Sequence, residues 1–167
     1  DIAIEVARLC PDIPFSFVEA WPLADDDRAE LARRLAELPN VTLLLPQKDM
    51  RSVYGACKIL LAPSVWNEAY GRVATEAQVS GIPVVASNRG GLPEAVGPGG
   101  AILDPESPVE IWAEAVRKLW RDEDAYAALS CAARAHAERI EGSLSYKIDR
   151  WERLLADACR GRYAISS

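Results

Sequence analysis

Five short runs of mostly apolar, aromatic or β-branched residues, separated by stretches with helical periodicity, constrain the fold of this chain more than any other feature. The runs cover residues 15–19, 41–45, 59–62, 83–86 and 101–103. Strands that are apolar along their whole length are typical of a parallel sheet with helices on both faces. Strands that alternate with helices imply right-handed crossover connections. The sequence therefore predicts an α/β fold built on a doubly wound, Rossmann-like parallel sheet.

Helical patterns fill the gaps between these runs and dominate the end of the chain. We expect helices at residues 26–38, 48–58, 71–80, 125–140 and 144–159. After Asp104 the strand patterns stop and helical patterns follow one another, so a helical C-terminal segment is predicted. Trp151 and Leu155 share the apolar stripe of the last helix. We expect this stripe to pack in part on another portion of the intact protein.

Length and charge favour a single domain, residues 1–167, that binds neither nucleic acid nor a membrane surface through a basic patch. The 167 residues carry a net charge of −6, with both signs interspersed. No apolar run is long enough to span a bilayer. Residues 2–7 have a helical pattern, whereas a doubly wound nucleotide domain normally opens with a strand and a glycine turn. We therefore expect the first strand of the domain to lie upstream of Asp1.

The cysteine and acidic residues give no pattern of a metal site. The chain has four widely spaced cysteines, without a Cys-x-x-Cys pair, and one histidine. These are interpreted as reduced thiols of a cytoplasmic protein. The run Asp25-Asp26-Asp27 suits the start of a helix, where acidic residues interact favourably with the helix dipole.

Two glutamates, eight positions apart, flank a predicted helix start. Glu68 lies in the loop after an apolar strand, Glu76 lies within the following helix, and Gly71, Arg72 and Val73 lie between them. A carboxylate accepts two hydrogen bonds and so matches a vicinal diol, and a helix start with free amides favours a phosphate. An exposed helix glutamate at 76, a helix-capping carboxylate at 68 and a solvent-facing Arg72 are the plain alternatives.

Two other loops follow strands and should reach the same edge of the sheet, where ligands bind in open α/β folds. Asn88, Arg89, Gly90 and Gly91 form a loop whose amides either contact a sugar or phosphate or simply make a turn. Residues 45–50 follow the second apolar run. No Gly-x-Gly-x-x-Gly or P-loop motif is present, so a dinucleotide or P-loop site is disfavoured.

The segment 63–104 resembles the donor-binding region of GT-B glycosyltransferases, in particular the retaining family 4, also called group 1. The resemblance rests on an ordered set of motifs rather than on one of them. They are Glu-x7-Glu (Glu68 to Glu76), the strand Ser80-Gly81-Ile82-Pro83-Val84-Val85-Ala86-Ser87, and the loop Gly90-Gly91-Leu92-Pro93-Glu94. Weaker similarity extends over nearly the whole chain.

This resemblance implies that Glu68 contacts the donor sugar and that Glu76 contacts the ribose hydroxyls. It gives no counterpart for Arg72, whose charge at the helix start either meets the leaving diphosphate or faces solvent. Glu68 and Arg72 are the candidate catalytic residues. The helix start at Gly71 and Val73 and the loop of Asn88, Gly90 and Gly91 would complete the donor site. Leu45, Pro46, Gln47 and Met50 would pack on the base.

The implied reaction is transfer of a hexosyl group from a nucleoside-diphosphate sugar to an acceptor hydroxyl, with retention and without a metal or other cofactor. The family's diphosphate-binding arginine and lysine, and a complete acceptor domain, would lie upstream, so this chain alone is expected to be inactive. A sugar-nucleotide epimerase, a phosphorylase and a non-catalytic nucleotide-sugar-binding or interaction domain are the alternatives. Peripheral association of the intact protein with the inner face of the membrane also remains open.

Overall fold

The computed structural model of this protein describes residues 2–19, 23–139 and 144–160. Five strands are present in these ranges: β1 (Phe15–Val18), β2 (Val41–Leu44), β3 (Leu60–Ala62), β4 (Val84–Ser87) and β5 (Gly100–Leu103). The helices are α1 (Ile2–Leu9), α2 (Asp25–Ala36), α3 (Arg51–Gly55), α4 (Arg72–Val79), α5 (Leu92–Val96), α6 (Val109–Arg121), α7 (Glu123–Ala137) and α8 (Leu144–Cys159). A short 3-10 turn (Gly97–Gly99) precedes β5.

All strand pairs are parallel, as the apolar strands predict, but they form two sheets. β1 pairs with β2 in one sheet, with Phe15 opposite Val41. β3, β4 and β5 form the other sheet in that order, with Leu60 opposite Val84 and Val84 opposite Gly100. The predicted α/β class and parallel pairing are confirmed, whereas the division between β1 and β3 has no local signal in the sequence.

The central strand β4 is buried on both faces, which is why its sequence is apolar without alternation. Val85 packs in a cluster with residues of α1 and α6, including the fully buried Trp112. Val84 and Ala86 point to the opposite face and pack with residues of α4 and α5. Since successive side chains of a strand alternate between faces, helices cover both sides of this sheet. The predicted doubly wound arrangement is therefore confirmed.

The smaller sheet is covered on one face by α1 and α2. Their side chains form a cluster with alternate residues of both strands: Ile4, Ala7, Leu31, Leu35, Leu38, Phe15, Phe17, Val41 and Leu43. On the other face Ser16 and Thr42 are exposed. Phe15 also packs against the cluster around Trp112, so α1 joins the two sheets into one core.

The predicted helix at 48–58 is wrong in length, because α3 spans only Arg51–Gly55. The Asp49 carboxylate accepts a hydrogen bond from the Arg51 amide at 3.0 Å and so fixes a turn before the helix begins. The helix ends where the Cys57 amide bonds to the Tyr54 carbonyl at 3.1 Å, a three-residue turn rather than an α-helical one.

Helix α7 attaches to the turn after α4 and to α5 through polar contacts. The Ser130 hydroxyl donates to the Gly81 carbonyl at 2.6 Å, and His136 Nε2 lies 3.0 Å from the Glu94 carbonyl oxygen. His136 therefore has a structural partner. Within the described residues, no helix combines the length and apolar character needed to cross a membrane.

An ion pair links the buried Glu19, directly after β1, to the partly exposed Arg28 of α2. The Glu19 side chain is only 2% exposed and accepts hydrogen bonds from Arg28 at 2.9 and 3.3 Å and from the Leu23 amide at 3.2 Å. The hydrogen bonds from Arg28 hold the pKa of the Glu19 carboxyl below its usual value of 4.5. The pair therefore stabilises the fold above that pH, and this contribution is lost as the pH falls through the lower pKa of the folded state.

We expect Glu19→Gln to lower the free energy of unfolding most at pH 7, because the charge-assisted hydrogen bonds between the buried Glu19 carboxylate and Arg28 are then lost. The difference from the wild type should shrink as the pH falls below 4.5. Urea unfolding over a series of pH values measures it. Glu30→Gln, which removes the exposed partner of Arg33, is the control and should change little. A Glu19→Gln deficit that is constant with pH would contradict this account.

Candidate functional site

Two loops that carry sequence-predicted residues meet at the carboxyl edge of the larger sheet. Residues 63–71 follow β3, and residues 88–91 follow β4. Because these strands are parallel neighbours, their carboxyl ends lie at the same edge. The Glu68 side chain is exposed there, and the Ser64 hydroxyl lies 3.5 Å from its Oε1 atom.

Two hydrogen bonds join the loop at 63–71 to the end of β4 and to the loop that follows it. The Gly91 amide donates to the Glu68 carbonyl at 2.6 Å, and the buried Ser87 hydroxyl donates to the Ser64 carbonyl at 2.6 Å. Gly90 has a positive φ of 54°, and a Cβ atom there would overlap the Glu68 carbonyl oxygen. A Cβ atom at Gly91 would lie 2.8 Å from the Ala69 carbonyl oxygen. The two glycines therefore let the loop that carries Glu68 approach the end of β4 closely.

The sequence leaves open whether the amides of the loop at 88–91 contact a ligand or only form a turn. The Gly91 amide is bonded to the Glu68 carbonyl, so Gly91 supports the neighbouring loop. Asn88 is exposed, and its backbone N–H donates to the Leu103 carbonyl at 2.7 Å, which extends the β4–β5 pairing. Gly90 is exposed beside Glu68. The loop at 88–91 is therefore fixed by its neighbours rather than free.

Helix α4 begins directly after a position where the backbone conformation and the available space suit only glycine. Gly71 is buried, has a φ of 76°, and would place a Cβ atom 2.9 Å from Leu92 Cδ2. Arg72 and Val73 form the first helical turn and are exposed. Their amides precede the first intrahelical hydrogen bond, in which the Ala74 amide reaches the Gly71 carbonyl at 3.0 Å. The positive end of the helix dipole therefore faces the edge that carries Glu68.

Glu76 lies in the same helix and has two side-chain partners. Tyr54 Oη donates to its Oε2 atom at 3.0 Å, and Arg72 Nη2 lies 3.3 Å from its Oε1 atom. The Glu76 side chain is 40% exposed, whereas that of Arg72 is 82% exposed. Burial, with Glu76 as the next cause, raises the pKa of the Tyr54 phenol well above its usual value, so it stays a hydrogen-bond donor. Both carboxylate oxygens keep further acceptor capacity.

The loop at 45–50 follows β2 in the smaller sheet. Leu45 is 65% exposed, Pro46 is exposed, and Gln47 Nε2 donates to the Leu45 carbonyl at 2.7 Å. The Met50 carbonyl accepts the Tyr54 amide at 2.9 Å. Tyr54 therefore links this loop to Glu76, although the loop belongs to the other sheet.

The sequence does not predict the hydrogen bonds that three residues make at this edge: Tyr54, Ser64 and Ser87. Each acts through a contact with a residue distant in sequence, and the residue type alone gives no sign of it. The Tyr54–Glu76 bond spans 22 positions and the Ser87–Ser64 bond spans 23. The described residues contain no group of three or more side chains placed to hold a metal ion.

These features together define an open α/β domain with an anion-favouring helix start between two carboxylates, the general form of a nucleotide-binding edge. Comparison with known families agrees. Residues 24–136 match the family described as "Glycosyl transferases group 1". The chain belongs to this family of glycosyltransferases, which confirms the resemblance seen in the sequence.

Individual relatives give the same result. A D-inositol 3-phosphate glycosyltransferase of Corynebacterium kroppenstedtii is 42% identical over 120 residues, 70% of this chain and 26% of that protein. The enzyme of the same name from Corynebacterium diphtheriae is 36% identical over 149 residues, 83% of this chain and 34% of that protein. The chain thus spans between about a quarter and a third of the length of these relatives.

A solved structure matches the fold over most of the chain. Anabaena HepE in complex with UDP-glucose has a TM-score of 0.80 and 26% identity, over 93% of this chain and 44% of the HepE chain. The predicted Rossmann-like half of a GT-B fold is therefore confirmed.

Proposed function

We propose that this chain is the donor-binding domain of a retaining glycosyltransferase that uses a nucleoside-diphosphate sugar. The observation that carries the proposal is the order Glu68, helix start at Gly71, Glu76 along one edge of the sheet. A sugar, a diphosphate and a ribose follow one another in the same order in such a donor. The family membership and the UDP-glucose bound to HepE support this assignment.

Each part of the edge has a chemical role in this proposal. Glu76 accepts hydrogen bonds from the two ribose hydroxyls, and the amides at Gly71, Arg72 and Val73 face the diphosphate. Glu68 accepts from hydroxyls of the donor sugar. Leu45, Pro46 and Met50 provide the surface for the base, next to Tyr54. Asn88, Gly90 and Gly91 complete the sugar side, with Gly91 acting through its bond to Glu68.

The reaction requires stabilisation of charge rather than a covalent nucleophile. Negative charge develops on the leaving diphosphate as the glycosidic bond breaks, and positive charge develops on the sugar ring. Preorganised amides and the dipole of α4 stabilise the first, and the Glu68 carboxylate stabilises the second. Arg72 is the first residue of α4, and its exposed guanidinium reaches the diphosphate if it leaves Glu76. No step in this scheme needs a metal.

We propose that one more parallel strand lies between β1 and β3. The order β2-β1 and β3-β4-β5 matches the strand order 3-2-1-4-5-6 of doubly wound folds without the innermost strand. Phe15 of β1 and Leu61 of β3 pack against the same cluster, on either side of that position. The Trp112 indole N–H, buried in this cluster, has no acceptor within the described ranges. An added backbone segment would offer one.

The strand and an acceptor domain belong, in this proposal, to a longer polypeptide of the length seen in the relatives. Helix α8 supports it, because Ile148, Trp151 and Leu155 form an apolar stripe that is 47%, 65% and 60% exposed. Such a stripe on a helix is suited to pack on another domain. The four free cysteines, two of them exposed, favour a cytoplasmic location.

The proposed reaction is tested by following nucleoside-diphosphate release from UDP-, GDP- and ADP-glucose by the protein at its natural length. With methanol as acceptor, we expect one donor to give a methyl glucoside with the donor's anomeric configuration, without added phosphate. Formation of glucose 1-phosphate only when phosphate is added would identify a phosphorylase instead. Conversion to an epimeric nucleotide-sugar without an acceptor would identify an epimerase.

We expect Glu68→Gln to lower the rate of this transfer about tenfold, because one charged hydrogen bond to the sugar is lost. Its donor dissociation constant should change less than the rate. Glu110→Gln, at an exposed position of α6, is the control. An unchanged rate in Glu68→Gln would remove Glu68 from the proposed site.

A further inference from the structure

Tyr54 is held in place independently of any ligand. Its amide bonds to the Met50 carbonyl at 2.9 Å, and its carbonyl accepts the Cys57 amide at 3.1 Å. Its ring packs against the apolar cluster beneath α4, which includes Ala74 and Ala77. A tyrosine side chain has only two rotatable bonds before its ring, so a packed ring fixes the position of the hydroxyl. That hydroxyl donates to Glu76 Oε2 at 3.0 Å.

Glu76 needs such support more than a buried carboxylate would. Its side chain is 40% exposed and has three rotatable bonds, so without a partner it samples several rotamers. Its other partner, Arg72, lies 3.3 Å away, is 82% exposed and sits four positions earlier in the same helix. An exposed pair of this kind contributes little to the position of either side chain. Tyr54 therefore contributes most to fixing the carboxylate.

The form of the contact also suits a diol. Tyr54 is a neutral donor and leaves the negative charge of Glu76 intact. It occupies one acceptor position of Oε2, while Oε2 and Oε1 both keep capacity for a further hydrogen bond. Two adjacent hydroxyls can then bind one carboxylate in a fixed orientation, and that carboxylate has lost its conformational freedom before the ligand arrives.

We propose that Tyr54 is a positioning residue for the donor ribose: its hydroxyl fixes the Glu76 carboxylate in the orientation that receives the ribose diol. The inference rests on the proposed function, since it assigns a new residue to the ribose part of that site. It also gives α3 a role, because this five-residue helix follows the loop at 45–50 and places Tyr54 against α4.

The test compares Tyr54→Phe with the wild type, in the protein at its natural length, by calorimetric titration. The ligands are UDP-, GDP- and ADP-glucose and the 2′-deoxyribose counterpart of whichever binds. We expect Tyr54→Phe to weaken the ribose ligand about fivefold and the 2′-deoxy ligand less than about twofold. Tyr126→Phe, which changes a part-buried tyrosine on α7, is the matched control and should bind both ligands as the wild type does.

A second arm asks whether Tyr54 acts through Glu76. In a Glu76→Ala background, Tyr54→Phe should cause no additional loss of affinity. In both arms, the affinities for the ribose ligand and for its 2′-deoxyribose counterpart are compared within one protein. A partly unfolded variant therefore does not distort their ratio.

The outcomes separate the two proposals. Suppose that the wild type binds a donor. The role of Tyr54 is overturned, and the donor site stands, if Tyr54→Phe weakens binding of both ligands equally. The same holds if Tyr54→Phe causes a further loss of affinity in the Glu76→Ala background. If the wild type binds none of the three nucleotide-sugars, the proposed function itself fails, and the role of Tyr54 fails with it.

Discussion

Replacing Glu76 with alanine is expected to weaken binding of the nucleotide-sugar about 100-fold. Two hydrogen bonds between the carboxylate and the ribose hydroxyls are lost, and at the lower value of about 1.5 kcal/mol for each bond to a charged group the loss is about 3 kcal/mol, or roughly 100-fold. The fold should remain intact, because Glu76 is 40% exposed and its contacts are at the surface of α4. Calorimetric titration of the two proteins with the same donor measures the effect.

The matched control for this substitution is Glu114→Ala. Glu114 is also a helix glutamate with an arginine partner, Arg117, and its side chain is 74% exposed. It lies on α6, away from the edge where Glu68 and the start of α4 meet. We expect its affinity for the donor to equal that of the wild type. A Glu76→Ala protein that is folded and binds the donor normally would contradict the ribose role.

Gly90→Ala is expected to lower the free energy of unfolding by about 3 kcal/mol and to abolish donor binding. The positive φ of 54° costs an alanine about 1–2 kcal/mol, and the added methyl group would overlap the Glu68 backbone, which adds a packing cost of similar size. The loop that carries Glu68 must move to relieve the overlap, so the site is lost together with the stability. Urea unfolding and donor titration measure the two effects.

Gly55→Ala provides the control, because the chain offers a glycine with open space. Nothing lies within 4 Å of a Cβ atom at Gly55, and its φ is not in the left-handed region. This substitution should leave stability unchanged or raise it by up to about 1 kcal/mol, since alanine reduces the freedom of the unfolded chain. Equal stabilities for Gly90→Ala and Gly55→Ala would show that the contact between the two loops is not tight.

The sequence predicts the elements well because their signals are local. Apolar runs give all five strands to within a residue or two, and the last helix is predicted at 144–159, as α8 shows. The acidic start of α2 at Asp25 also follows from the interaction of carboxylates with the helix dipole. In contrast, α3 is shorter than its periodicity suggests because Asp49 forms a turn before it.

The arrangement of the site is harder to predict, because it depends on contacts between distant segments. The motifs place Glu68, Gly71 and Glu76 in order along the chain. They do not show that Gly91 donates its amide to Glu68 or that Tyr54 bonds to Glu76 across 22 positions. The order of strands is likewise a long-range property, so the division of the sheet between β1 and β3 has no local sign.

The most direct test of the donor site is a map of amide chemical shifts during titration with UDP-, GDP- and ADP-glucose, recorded on the ¹⁵N-labelled protein at its natural length. We expect the largest changes at Glu68, at Gly71 to Val73, at Glu76 and at Gly90, with none along α6 or α7. The Glu76→Ala protein should show much smaller changes at the same ligand concentration. Saturable changes confined to other surfaces, or none for UDP-, GDP- or ADP-glucose with a well-folded protein, would contradict the assignment of this edge as a donor site.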